Sequence, residues 1–232
     1  MTKLIKILAI FTLLIFISGC EDKPIGKITK DTYNLKSEMD PRLKSYPEAV
    51  EWYENSDSYP EAAFSLGYFY KNTLKDYTKS IEWYKKAYKM GYMKAAFNLG
   101  YLYKNTLEDY TKAIKWYEIA FEKEIYVAAD NLGNIYSDIY KDNIKAIEWY
   151  KKGIERESLQ SIKNISWLYH KNLNDDIKAS AYMINTLAYG EKKEELIDFF
   201  KNRWNLSDET IKKGYELQLT MPGLPKRYKG GI

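Results

Sequence analysis

The sequence predicts an all-α fold: an α-solenoid of stacked helix-turn-helix units, finished by a C-terminal helical cap. Two observations predict it. A 33-residue step recurs through the middle of the chain, placing Leu66-Gly67, Leu99-Gly100 and Leu132-Gly133 at one point of the repeat and Trp83-Tyr84, Trp116-Tyr117 and Trp149-Tyr150 at another. Self-similarity at this period marks supersecondary units that each bury their apolar face only by stacking on a neighbour. Within each unit, moreover, two stretches carry apolar residues at helical spacing around a short polar turn. In the second unit these are Met93 to Asn105 and Thr111 to Glu122, separated by Thr106 to Tyr110.

Taken in chain order, residues 1–19 read as a targeting segment. Lys3 and Lys6 precede the apolar run Ile7 to Ile17, which is short for a spanning helix, and small residues follow at Ser18 and Gly19. Ile17-Ser18-Gly19-Cys20 resembles the lipobox of bacterial lipoproteins, which implies cleavage before Cys20 and lipidation of its sulfur. Cys20 is the only cysteine in the chain, so this reading leaves no thiol for a disulfide. The resemblance implies a lipid-anchored protein of the bacterial cell envelope, facing the periplasm. Glu21 is not the aspartate that retains such proteins at the inner membrane, which favours the outer one.

Residues 20–41 are polar, lack apolar periodicity, and are expected to form a flexible tether. The array occupies residues 42–189. It opens on half a unit, since Ala49-Val50-Glu51-Trp52-Tyr53 repeats the pattern of Ser80-Ile81-Glu82-Trp83-Tyr84, and closes on a worn fourth unit with Ile165-Ser166 and Tyr182-Met183 at the two marker points. Residues 190–221 are expected to cap it: Leu196, Phe199, Phe200 and Trp204 keep helical spacing, and Ser207-Asp208-Glu209 reads as the start of one more helix. Residues 222–232, with two prolines and three glycines, are expected to be a disordered tail.

In each first helix one face repeats: Ala62, Leu66 and Tyr70, then Ala95, Leu99 and Tyr103, then Ala128, Leu132 and Tyr136. This is the expected packing face. Gly67, Gly100 and Gly133 persist on it despite a helix cost of about 1 kcal/mol each, as close backbone approach requires. The Ile81, Ile114, Ile147 series and the Trp83, Trp116, Trp149 series are expected to fill the space between units.

These residues also carry a family resemblance. Asp76-Tyr77-Thr78-Lys79-Ser80-Ile81-Glu82-Trp83-Tyr84-Lys85-Lys86-Ala87 is similar to the second helix of Sel1-like repeats, and Ala95-x3-Leu99-Gly100-x2-Tyr103 to the first. The resemblance covers about residues 47–189 and implies a right-handed solenoid related to tetratricopeptide repeats. The chain departs from the family's usual Gly-x-Gly-Val turn, having Asn72-Thr73-Leu74 and Asn105-Thr106-Leu107 in a loop three residues shorter.

Charge excludes several functions. The formal net charge of +4 falls to +2 once Lys3 and Lys6 are removed, and both signs are interspersed, so neither nucleic-acid binding nor electrostatic membrane adhesion is expected. Chemistry is equally sparse. His170 is the only histidine, at a register position held elsewhere by Lys71, Lys104 and Ser137, and is expected to be exposed. No paired cysteines, His-Glu-x-x-His motif or phosphate-binding glycine loop occurs, so no enzyme, cofactor, metal or small-molecule substrate is expected. Asp76, Asp109 and Asp142 precede second helices, where helix dipoles favour negative charge.

Binding is the expected function, and the resemblance implies a groove lined by first helices. The residues opposite the packing face are Phe64, Tyr68 and Lys71, then Phe97, Tyr101 and Lys104, then Asn134 between Asp130 and Ser137, then Trp167 and His170 after Lys163. Such a surface suits a protein partner with an acidic, partly apolar face, with Tyr68, Tyr101 and Trp167 as leading contacts. Phe64 and Phe97 have a second reading, as packing between adjacent first helices. The similar small Sel1-like envelope proteins include immunity proteins that neutralise antibacterial effectors such as phospholipases. Others act as scaffolds or regulators of signalling or cell-wall machinery.

Overall fold

The structure is a computed structural model that describes residues 39–232. Residues 42–232 form one compact unit, and its α-helices alternate between two roles. First helices are α2 (Pro60–Phe69), α4 (Lys94–Asn105), α6 (Ala128–Asn134) and α8 (Leu159–Lys171). Second helices are α1 (Pro47–Asn55), which opens the array, α3 (Tyr77–Lys89), α5 (Tyr110–Glu122), α7 (Asn143–Glu155) and α9 (Asp176–Asn185). Two further helices, α10 (Lys193–Asn202) and α11 (Asp208–Thr220), follow the fourth unit. The lipobox, Cys20 and most of the tether lie outside the described residues.

Each turn inside a unit is built the same way, despite being short. The main-chain amides of Asp76, Asp109, Asp142 and Asp175 donate to the carbonyls of Tyr70, Tyr103, Tyr136 and Tyr169, each at 2.9 Å. The aspartate side chain then caps the second helix, accepting from the amide of Lys79, Lys112, Lys145 or Lys178. Each of those lysines lies 5.3–5.5 Å from the ring centroid of the tyrosine in its own unit. The backbone before the cap is irregular. Lys75, Glu108, Lys141 and Asn174 take positive φ of 51–56°, and π-helical turns at Tyr70–Leu74 and Ile135–Ile139 widen the ends of α2 and α6.

Packing follows the repeat. Ala62, Leu66 and Tyr70 and their counterparts Ala95, Leu99 and Tyr103 are buried, as are Ala128 and Leu132, with Tyr136 half-buried. The glycines accommodate more than backbone. A Cβ on Gly67 would lie 2.6 Å from the Tyr84 ring, one on Gly100 would lie 2.7 Å from Tyr117, and one on Gly133 would overlap Tyr150. Each glycine therefore seats the tyrosine of its own unit's Trp-Tyr pair. The tryptophans bridge units: Tyr88 meets Trp116 edge-on at 5.5 Å and Phe121 meets Trp149 at 5.6 Å.

The end of the array departs from the register. α11 lies against α9, its Gly214 so close to Ser180 that a Cβ would overlap the serine hydroxyl. Residues 222–232, expected to be disordered, are instead docked. Leu224 is buried in the cluster of Ala146, Tyr150, Ile162 and Tyr182. The fully buried Gln218 side chain grips the Tyr228 main chain at both ends, donating to its carbonyl at 2.6 Å and accepting from its amide at 3.3 Å. Asn185 donates to the Lys226 carbonyl, and the Lys226 ammonium reaches Glu157 at 2.8 Å. Buried side-chain amides that bond to main chain replace the regular secondary structure the tail lacks.

Candidate binding face of the first helices

The register positions opposite the packing face do not behave alike. Tyr68, Tyr101 and Trp167 are exposed, at 55, 42 and 44% of their surface. They occupy one position on α2, α4 and α8 and form a row at a 33-residue step, or twice that step from Tyr101 to Trp167. Phe64 and Phe97 turn inward. Phe64 packs on Tyr84 and Tyr92 at 5.4 and 4.7 Å, and Phe97 on Tyr117 at 5.5 Å. Both remain half-buried, and their rings support the glycine-seated tyrosines.

Asn134, the row's member on α6, is tied down from below. It accepts from the Tyr150 hydroxyl at 2.6 Å and from the Asn164 amide at 3.4 Å. In the first two units the row residue is a tyrosine and supplies no such acceptor. Among the described residues, the Tyr84 and Tyr117 hydroxyls are buried without a hydrogen-bond partner. Burial pushes all three phenols far above the ordinary tyrosine value.

His170 corrects the expectation of an exposed side chain. It is half-buried, its ring stacked on Trp204 at 4.3 Å with an interplanar angle of 12°, and its Nδ1 lies 2.6 Å from Asp176 Oδ1. Trp204 also meets Trp167 edge-on at 5.2 Å. The segment after α10 thus closes over the last first helix, and Trp167 is braced by Trp204 while its outer face remains exposed.

Two recesses flank Trp167. One, of about 170 Å³, has polar walls that include Asn134, Asp138, Asn164 and Lys171. The other, of about 260 Å³, opens between α8 and α10 over Met183, Leu196 and Phe199 and is rimmed by the Lys163–Glu191 ion pair at 2.7 Å. Asn164, Asp138 and Phe199 were not among the expected contact residues. Asparagine recurs at 98, 131 and 164 at the 33-residue step, and that ladder could have flagged Asn164.

Lys71 and Lys104 are half-buried. The Lys71 ammonium lies 4.6 Å from the centre of the Tyr101 ring on the next first helix, and Lys104 donates to Asn131 Oδ1, also one helix on, at 3.3 Å. Burial lowers the pKa of both. The capping aspartates belong to the turns rather than to this face. Among the described residues no cluster of three or more His, Cys, Asp or Glu side chains could hold a metal ion, and no helix is long and apolar enough to cross a membrane.

The Sel1 repeat family model matches four times, at residues 40–56, 60–92, 94–124 and 127–158. The chain is a Sel1-repeat protein. The matches follow the observed units: the first takes the opening half-unit that ends in α1, and the next three each take one helical hairpin. The worn fourth hairpin, α8 and α9, falls beyond them. The structure is similar to a Sel1 repeat protein from Oxalobacter formigenes, with 23% identity and a TM-score of 0.52 over 74% of this chain and 78% of that one. A protective antigen of uropathogenic Escherichia coli, described as displaying an SLR fold, aligns at 19% identity and a TM-score of 0.37 over 74% of this chain and 47% of that one. No curated protein matches the chain. Sel1 repeats mediate protein–protein interaction and as a family are generally non-catalytic scaffolds, so this Sel1-repeat array binds other proteins.

Proposed function

We propose that this protein is a lipid-anchored, periplasm-facing binding module that uses the first-helix face of its Sel1 array to neutralise an antibacterial effector, and so serves as an immunity protein. The observation that carries the choice of surface is the exposed aromatic row. Tyr68, Tyr101 and Trp167 repeat the register of their helices, yet leave much of their apolar area in water, where a core role would bury it. Large aromatic side chains with few rotatable bonds are suited to dominate a protein interface. Support for the anchor is the position of the single cysteine directly after Ile17-Ser18-Gly19. A phospholipase-type effector fits a guard held at the membrane, because the guard then sits where the toxin's substrate lies.

The test is periplasmic co-expression. The product of the neighbouring gene is exported in a test bacterium with and without this chain, and growth is followed. Restored growth with direct binding supports the immunity role; a harmless neighbour, or one that still kills, removes it. The anchor is tested separately, since Cys20→Ser should abolish palmitate labelling and release the protein from the membrane fraction.

A further inference from the structure

One edge of the array carries exposed apolar side chains that neither the core nor the first-helix face accounts for. Leu107, Tyr140 and Leu173 stand at a 33-residue step in the turns between first and second helices, and all three are exposed. Ile144 and Ile177 hold a second such step at the starts of α7 and α9, Ile144 being 74% exposed, and Ile139 adds to the patch beside Tyr140. Neighbouring turns adjoin. Asn172 donates to Asn143 Oδ1 at 3.1 Å, and Thr111 and Ile114 of α5 share one recess with Tyr140 and Asp142 of the following turn. The patch therefore runs across the second, third and fourth units, and apolar surface gathered in this way marks a contact.

The charges at these turns bear on what covers them. Asp109, Asp142 and Asp175 pair with Lys112, Lys145 and Lys178 at 2.8, 3.6 and 2.8 Å, and Asp176 lies 2.6 Å from His170 Nδ1. Glu108 and Asp138 balance Lys141 and Lys171. No large excess of either sign is left to select a charged protein surface, whereas leucine, isoleucine and tyrosine with lysines close by suit the boundary between headgroups and acyl chains. Reach favours the same occupant. Residues 21–38 join Cys20 to the described chain and span at most about 60 Å when extended, so a lipid on Cys20 holds the patch near the bilayer at high effective concentration. A second copy arrives only at its own concentration. We infer that this turn edge rests in the bilayer interface, with Leu107, Tyr140, Ile144, Leu173 and Ile177 against lipid, leaving Tyr68, Tyr101 and Trp167 open to a partner. The inference rests on lipidation of Cys20 and not on the immunity role.

The experiment follows single fluorophores on the full lipidated chain in phosphatidylcholine vesicles. With Cys20 blocked by lipid, a nitrobenzoxadiazole label reports only the thiol introduced by Ile144→Cys, by Leu173→Cys or, for contrast, by Tyr101→Cys on the first-helix face. Nitroxide-bearing lipids should quench the labels at 144 and 173 about twofold or more beyond the label at 101, because the apolar edge enters the interface and the first-helix face does not. Raising salt to about 0.5 M should leave that difference intact, since the contact is apolar. Ile177→Ser should weaken quenching at 144, with helical content showing that the variant is folded. Equal quenching at all three positions, or none at 144 and 173 in a chain that floats with the vesicles, overturns the edge and leaves the anchor standing. A change at 144 that tracks protein density on vesicles without nitroxide assigns the edge to a second copy and also overturns it. A chain that acquires no lipid and fails to float removes the anchor, and the inference with it.

Discussion

At the scale of single residues, the recurring glycine and tyrosine make one unit of packing. Gly100 sits in mid-helix, where propensity alone says that alanine stabilises by about 1 kcal/mol. A Cβ there meets the Tyr117 ring at 2.7 Å, so Gly100→Ala should instead destabilise, by about 1–3 kcal/mol in urea denaturation. The sign separates the two accounts. The tyrosines differ among themselves. Tyr117 buries a hydroxyl with no partner among the described residues, whereas Tyr150 donates to Asn134. Tyr117→Phe should therefore be neutral or stabilising, and Tyr150→Phe should cost about 1 kcal/mol, both read from denaturation midpoints. The sequence announces the glycines as places of close approach, but not that a ring from the same unit fills each one. That pairing depends on how the hairpin folds back.

At the scale of the element, the hairpin turn is set by its aspartate. Hydrogen bonds from the Lys112 ammonium, and then from the Lys112 amide, hold the Asp109 carboxyl below its usual value. A depressed folded-state value makes the cap's contribution complete above the ordinary carboxylate range and lost as pH falls through the depressed value. Asp109→Ala should cost about 1 kcal/mol at neutral pH, and the gap from wild type should narrow on acidification, as measured by urea unfolding across a pH series. The capping role was legible in the sequence because aspartate recurs before each second helix. The positive-φ residues before it were not. Lys75, Glu108, Lys141 and Asn174 are two lysines, a glutamate and an asparagine, so no single residue type marks the positive-φ position.

At the scale of the whole molecule, the regular array and the two helices that follow it were readable, and the path of the last eleven residues was not. Repeats advertise themselves by period, so the helical hairpins, their packing face and the opening half-unit follow from spacing alone. The tail has no period, and it is held by Gln218 and Asn185 acting on main chain, contacts that leave no pattern in the tail's own residues. Leu224→Ala provides the test. A docked tail predicts a loss of about 2–5 kcal/mol, a disordered one a change within about 0.5 kcal/mol. Of the expected contact residues, Tyr68, Tyr101 and Trp167 are exposed, while Phe64, Phe97 and His170 turn to packing partners. The His170 stack joins parts of the chain that helical spacing does not relate, since its ring partner comes from the cap.

The central claim is that the first-helix face meets the partner. Photo-crosslinking in living cells tests it most directly, with a benzophenone amino acid placed at Tyr68, at Tyr101 or, for contrast, at Ile144, which is 74% exposed at the start of α7, a second helix. With the effector co-expressed in the periplasm, adducts should form from positions 68 and 101 and not from 144. Adducts from 144 with none from 68 or 101 would contradict the account.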